Sequence, residues 1–194
     1  MEPARQERNQ ATMVQVRIEP VGPPHLPAIQ ELAADPAIGA LSNVPSPYPP
    51  DGAMQFLQRA NEGRQNQTLY AFAVVAEEGP CVGVCSLMGV SLAGTAELGY
   101  WIGKPYWGQG LATQAGHLVL TYAFQSLNLH LVKAACLQRN MASARVLEKL
   151  GFRLNSVRPI LFPKTGQQES VCFFTLTKVE WLARRSGQGG ALPA

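Results

Sequence analysis

The chain predicts a single mixed α/β domain, a sheet of six to seven strands flanked by about four helices, on three observations. Strand-like segments crowd residues 68–102, an amphipathic segment of crossover length follows at 109–127, and a strand, a helix and two strands close the chain. Short turns join antiparallel neighbours and long helical crossovers join parallel ones, so the sheet must be mixed.

Val14 to Ile18 alternates with strand period. From His25 to Ala34, Leu26, Ile29 and Leu32 share one helical face, and Asp35-Pro36 should stop that helix. Residues 42–50 hold Pro45, Pro47, Pro49 and Pro50 and should be irregular. Asp51 can cap the next helix, with Met54, Leu57 and Phe56 turned inward and an end near Asn61 to Gly63. Thr68 to Ala76 and Cys81 to Val90 read as a hairpin through Glu77-Glu78-Gly79-Pro80, and Ala96 to Ile102 as the next meander strand.

Gln109 to Leu127 carries Leu111, Ala115, Leu118, Val119, Tyr122 and Ala123 at helical spacing. Leu131 to Leu137 should then be a strand parallel to its predecessor. Asn140 to Leu150 reads as a helix closed by Gly151, and Phe152 to Val157 and Val171 to Thr177 as the last strands. The organisation expected is a flexible lead over 1–13, one domain over 14–183 and a flexible Gly-rich tail over 184–194.

Composition narrows the function classes. In 194 residues, 46% are hydrophobic and 15% charged, which is globular and excludes global disorder. A net charge of +3 with no basic-aromatic cluster argues against a nucleic-acid partner. No apolar run nears the roughly 20 residues of a membrane helix, so no membrane partner is expected. The first fifteen residues lack the pattern of a secretory signal, and Cys81, Cys85, Cys136 and Cys172 include no Cys-x-x-Cys pair. A cytoplasmic location, buried free thiols and no metal site are the expectations.

The chemistry-bearing stretch is Trp107-Gly108-Gln109-Gly110-Leu111-Ala112 between a strand and a helix. Two glycines let backbone N–H groups converge on a diphosphate, and the helix that follows adds its positive end. A dinucleotide fold would need Gly-x-Gly-x-x-Gly and an earlier βαβ unit, and a Walker loop would need Gly-Lys-Ser/Thr; neither is present.

Set beside Asn140-x2-Ser143 and Leu150-Gly151-Phe152, the run Ile102-x4-Trp107-x2-Gly110-x-Ala112 resembles the GNAT superfamily of N-acetyltransferases over roughly residues 14–178. Ala96 to Trp101 and Val44-Pro45-Ser46-Pro47-Tyr48 are similar to its RimJ/RimL-like branch of ribosomal-protein alanine acetyltransferases. The resemblance implies acetyl-CoA as cosubstrate. Its pyrophosphate would lie over Trp107, Gly108, Gln109, Gly110, Leu111, Ala112 and Thr113, its pantetheine along the backbone near Ile102, in a sheet splayed at the thioester. The superfamily usually has Gln or Arg where Trp107 stands, although related branches carry an aromatic residue there.

Direct acyl transfer to an amine needs a base and a donor for the leaving thiolate. The resemblance assigns Glu97 as the base, acting through a water, and Leu98, Gly99, Tyr100 and Trp101 are expected to desolvate it partly. Many superfamily members protonate the thiolate with a tyrosine late in the second crossover helix. Leu147 holds that position here, which moves the task to Ser143 or water; Ser143 is also a natural helix-start residue. Asn140 would orient the coenzyme arm or cap the same helix. An acetyl-Cys136 intermediate is disfavoured, because apolar burial makes a thiol inert.

Tyr48, Tyr70 and Trp101 are candidates for the acceptor mouth. The acceptor expected first is a protein N-terminal amine. A small-molecule amine such as a polyamine or an antibiotic is kept open by Glu31, Asp35, Asp51 and Glu62; a non-catalytic acyl-CoA sensor using the same phosphate loop, and a homodimer, are further alternatives.

Overall fold

The computed structural model describes residues 14–77, 79–162 and 164–188. The expected flexible lead over 1–13 and the last six residues of the expected tail lie outside them. Seven strands form one sheet: β1 (Val16–Pro20), β2 (Leu69–Ala76), β3 (Cys81–Met88), β4 (Thr95–Ile102), β5 (Leu131–Leu137), β6 (Arg153–Phe162) and β7 (Gln167–Thr177). Their spatial order is β1-β2-β3-β4-β5-β7-β6, and every neighbouring pair is antiparallel except β4 and β5. The parallel pair is the one joined by the predicted helical crossover.

Among the described residues, six α-helices cover the two faces: α1 (Leu26–Ala33), α2 (Pro36–Leu41), α3 (Gly52–Gln65), α4 (Leu111–Thr121), α5 (Met141–Leu150) and α6 (Lys178–Gln188). Two of them correct the sequence reading. Asp35-Pro36 stops α1 as expected, but it also starts α2, a helix the sequence reading lacked: the Asp35 carboxylate accepts the Ala37 amide at 2.8 Å, and Pro36, lacking an N–H that would be orphaned there anyway, fills the first turn. Residues 184–188, expected in the tail, continue α6, which is tied down by Trp181 against Phe124 with ring centroids 5.2 Å apart. Asp51 precedes α3 without capping it; its carboxylate instead accepts from Gln55 Nε2 at 2.8 Å.

Strand parity divides the core in two. Tyr70, Phe72, Val74, Ala96, Leu98, Ile102, Val132, Ala134, Cys136, Cys172, Phe174 and Leu176 pack under α4, α5 and α6. Ala71, Ala73, Val75, Val84 and the partly buried Trp101 pack under α1 and α3. Full burial of side chains such as Leu87, Val119 and Leu120 stabilises the fold by roughly 1.5–3 kcal/mol each. Gly116 lets α4 and α5 touch, since a Cβ there would stand 2.5 Å from Leu150 Cδ1.

After Thr121 the helix widens, with the Leu127 amide reaching back to the Tyr122 carbonyl at 3.0 Å. That wider turn sets Tyr122 against Tyr70 and Phe72. At the far border, β6 pairs only with β7 among the described residues, with Pro159 opposite Ser170. Among the described residues, no helix is long and apolar enough to cross a membrane.

Candidate active site

The β4–β5 ladder runs from Thr95↔Leu131 to Leu98↔Ala134 and stops there, although both strands continue. Beyond that point the sheet is open. In an antiparallel pair, alternate residues direct N–H and C=O to the same side. The Gly103 amide donates to the Val82 carbonyl on the β3 side, so the backbone groups of Tyr100 and Ile102 point the other way, into the opening. On the facing strand, the Gln138 amide donates to Ser170 of β7, so Ala135 and Leu137 also direct backbone groups inward. Two of these are already used: Trp107 Nε1 donates to the Ile102 carbonyl at 2.6 Å, and the Leu137 carbonyl accepts the Asn140 amide at 2.8 Å.

That tryptophan bond also closes the turn leading to α4. Gly108 and Gly110 take φ of +77° and +76°, a left-handed backbone that glycine adopts without the Cβ penalty. Neither position has an atom within 4 Å of where a Cβ would be, so conformation alone selects glycine there. Among the described residues, the N–H groups of Gly108, Gln109, Gly110, Leu111 and Ala112 have no backbone acceptor, and they open at the positive end of α4. Thr113 differs. Its amide already donates to the Gly110 carbonyl at 3.1 Å, which leaves its hydroxyl for a ligand.

Asn140 starts α5 with its Oδ1 accepting the Ser143 amide at 3.1 Å, and its Nδ2 donates to the Leu41 carbonyl at 3.3 Å. It is therefore a cap and a link to α2. Ser143 meets Tyr100 across the opening: the phenol oxygen lies 2.9 Å from Ser143 Oγ and 3.1 Å from the Ser143 carbonyl. Burial drives the phenol well above its usual pKa, with the Ser143 hydrogen bond opposing. The Cys136 thiol lies on the same face, and burial pushes it up to about 11, with a contribution from Cys172 and partial relief from Ser143. A thiol protonated to that degree is a poor nucleophile at neutral pH.

Glu97 stands one residue before the opening, between Met88 and Lys133 in the strand register. Strand alternation puts it on the α1 and α3 face, opposite Ser143. It is exposed, so the expected desolvation by Leu98, Gly99, Tyr100 and Trp101 is not found. Of the acceptor-mouth candidates, Tyr70 is core, Trp101 packs under α1, and Tyr48 lies half-buried with its ring filling the space beside Gly52.

Three side chains that the sequence reading did not single out hold the wall formed by α2. Arg139 Nη1 donates to the Ala40 carbonyl at 3.1 Å while its guanidinium pairs with Glu169, and Lys164 Nζ donates to Gly39 at 2.5 Å and also to Val44. No sequence pattern marks Lys164. Tyr100 was legible in part, since it shares strand parity with Ala96, Leu98 and Ile102 and so must face the crossover helix.

An open parallel pair, a glycine turn at a helix N-terminus and a hydroxyl pair stand together at this part of the sheet. The chain belongs to the GNAT acetyltransferases: the Acetyltransferase (GNAT) domain matches residues 15–153. It is 33% identical over 113 residues to "Probable N-acetyltransferase YjcK" of Bacillus subtilis (strain 168), covering 57% of this chain and 62% of that one. It is 36% identical over 87 residues to YdaF of the same organism, named as a candidate ribosomal N-acetyltransferase, covering 44% of this chain and 47% of YdaF. Both matches span less than two thirds of the relative's own length. Among solved structures, the spermidine N-acetyltransferase of Vibrio cholerae, in complex with CoA and spermine, shares the fold with a TM-score of 0.76 and 20% identity, over 87% of this chain and 98% of that one.

Proposed function

We propose that this chain transfers the acetyl group of acetyl-CoA directly to a primary amine. The observation that carries the reading is the conjunction of the free amides at 108–112 with the β4–β5 opening, whose inward backbone groups suit an extended pantetheine arm. In this reading the pyrophosphate sits on the amides of Gly108, Gln109, Gly110, Leu111 and Ala112, with Trp107 closing the turn and Thr113 offering its hydroxyl. Tyr100 and the Ile102 amide carry the arm, because the Ile102 carbonyl is engaged by Trp107. Ser143, fixed by Asn140, donates to the departing sulfur. Glu97, reached through water from the other face, receives the amine's proton.

The acceptor this site suits best is a protein N-terminal amine, as in the RimJ/RimL-like branch, a reading that the match to YdaF supports. An α-amine with a pKa of about 7.7–8.0 is substantially neutral near physiological pH, whereas an alkylamine near 10.4 is not. An exposed carboxylate acting through water is enough for the first and weak for the second. Two nearby carboxylates are paired, Asp35 3.9 Å from Lys104 and Glu169 with Arg139 at 2.9 Å, which weakens the field that would draw in a polycation. Glu31, Asp51 and Glu62 have no ion pair among the described residues.

Thiol release from acetyl-CoA, followed with a panel of peptides and small amines, tests this. Peptides with free N-termini should support turnover and polyamines should support less. Coenzyme affinity without acceptor-dependent release would make the protein a binding module instead, and a preference for polyamines would overturn the acceptor assignment.

A further inference from the structure

We infer that Tyr100 is a positioning residue for departure of the coenzyme thiol: its phenol, 2.9 Å from Ser143 Oγ and 3.1 Å from the Ser143 carbonyl, shifts its single proton between those two acceptors and so turns the serine hydroxyl toward the sulfur. The inference rests on the acetyl-transfer reading above. Ser143 is held on all three of its polar atoms, its amide by Asn140 and its carbonyl and hydroxyl by Tyr100. The brace comes from β4 and the serine from α5, 43 residues apart in sequence, so the contact spans the opening that the thioester would enter.

A phenol has one proton to give. When that proton goes to the Ser143 carbonyl, the serine hydroxyl donates back to the phenol oxygen and is spent. When it goes to Ser143 Oγ, the serine proton is free for a third partner, polarised by the bond it receives. The exchange needs no movement of heavy atoms, because both acceptors belong to one residue. Burial keeps the phenol protonated at working pH, so Tyr100 acts as a donor and not as an acid. As the tetrahedral intermediate collapses, the C–S bond breaks and its electron pair goes to sulfur. The serine O–H donates to that thiolate without losing its proton. The amine's proton goes through water to Glu97, and the thiolate takes a proton from solvent after release. Tyr100 and Ser143 end as they began.

The thiol of CoA bound to the protein gives a readout independent of turnover, because its ionisation can be followed by thiolate absorbance. The titration is run on the wild type, Tyr100→Phe, Ser143→Ala and the double variant. A hydrogen bond to the thiolate lowers the thiol pKa, so Tyr100→Phe should raise it by about 1, Ser143→Ala by at least as much, and the double variant no further than Ser143→Ala. With a productive acceptor, Tyr100→Phe should lower kcat about tenfold with little change in the KM for acetyl-CoA, and should cost less than about twofold on the Ser143→Ala background.

Coenzyme affinity equal to wild type shows that the variants are folded. A thiol pKa unchanged by Tyr100→Phe, or equal costs on both backgrounds, overturns the inference and leaves acetyl transfer standing. Expected thiol shifts with no turnover on any amine would overturn the transfer reading and leave the Tyr100–Ser143 arrangement standing. Failure of the wild type to bind CoA overturns both.

Discussion

Asn140 holds Leu41 at a distance of 99 residues in sequence, donating to its carbonyl oxygen while the same side chain caps the helix that bears Ser143. Arg139 and Lys164 grip the neighbouring carbonyls of Ala40, Gly39 and Val44. The α2 segment and the start of α5 are thereby tied together, and the two ends of the Asn140 amide can be tested apart.

Asn140→Asp keeps an acceptor for the Ser143 amide but loses the donor to Leu41, whereas Asn140→Ala loses both. The alanine variant should lose about 1 kcal/mol of stability through the cap, and the aspartate variant less. Both should raise the acceptor KM. Thermal melting and steady-state kinetics read the two effects, and unchanged acceptor KM in both variants would show that the α2 link does not matter to binding.

Gly110→Ala should cost about 1 kcal/mol from backbone strain alone, since open space surrounds the position. Coenzyme affinity should fall along with it as the amides turn away, and Gly110→Asn should fare better because asparagine tolerates the left-handed region. Calorimetric titration with CoA measures this. Equal affinity in wild type and alanine variant would dissociate the turn from phosphate binding.

Trp107→Phe keeps an aromatic ring and removes the donor to the Ile102 carbonyl. A lost hydrogen bond of this kind costs about 1 kcal/mol, and the freed turn should bind CoA more weakly. If binding is instead stronger, the released carbonyl serves the pantetheine arm better than the closed turn does.

The buried thiols set an alkaline limit. Cys136 and Cys85 are raised from an ordinary value of 9.0 to about 11 and about 12, so they stay neutral in the folded chain where the unfolded chain ionises. Their contribution is complete below pH 9 and declines as pH rises through the folded values, because the unfolded state there binds fewer protons. Melting temperature should therefore fall from pH 9 upward, and Cys136→Ala should flatten that fall. The same variant should retain transfer activity, whereas abolished activity in a folded protein would point to an acyl-cysteine.

Local chemistry made much of this legible. The continuous β-rich runs at 69–76 and 81–88, the crossover from Leu111 and the Gly151 cap are each written in adjacent residues, and the structure has them where the pattern points. Asp35-Pro36 is the stop for α1 that its pattern predicts; that the same proline also fills the first turn of α2 escapes the pattern, because a proline suits a helix's start as well as its exit. The expected desolvation of Glu97 failed for a related reason. Of its neighbours, Leu98 and Tyr100 alternate to the other face of the strand, while Gly99 and Trp101 share its face without covering it. Tyr100 with Ser143, and Lys164 with Gly39, are contacts made by topology between distant segments, which no local spacing encodes.

Pro159 has a consequence at the molecule's rim. Its partner Ser170 gives its carbonyl to Gln138 on the opposite side, so the ring nitrogen of Pro159 faces outward, in the middle of the one long border that another chain could copy. A template for strand addition is thus missing a rung at that border, at no loss to the ladder inside.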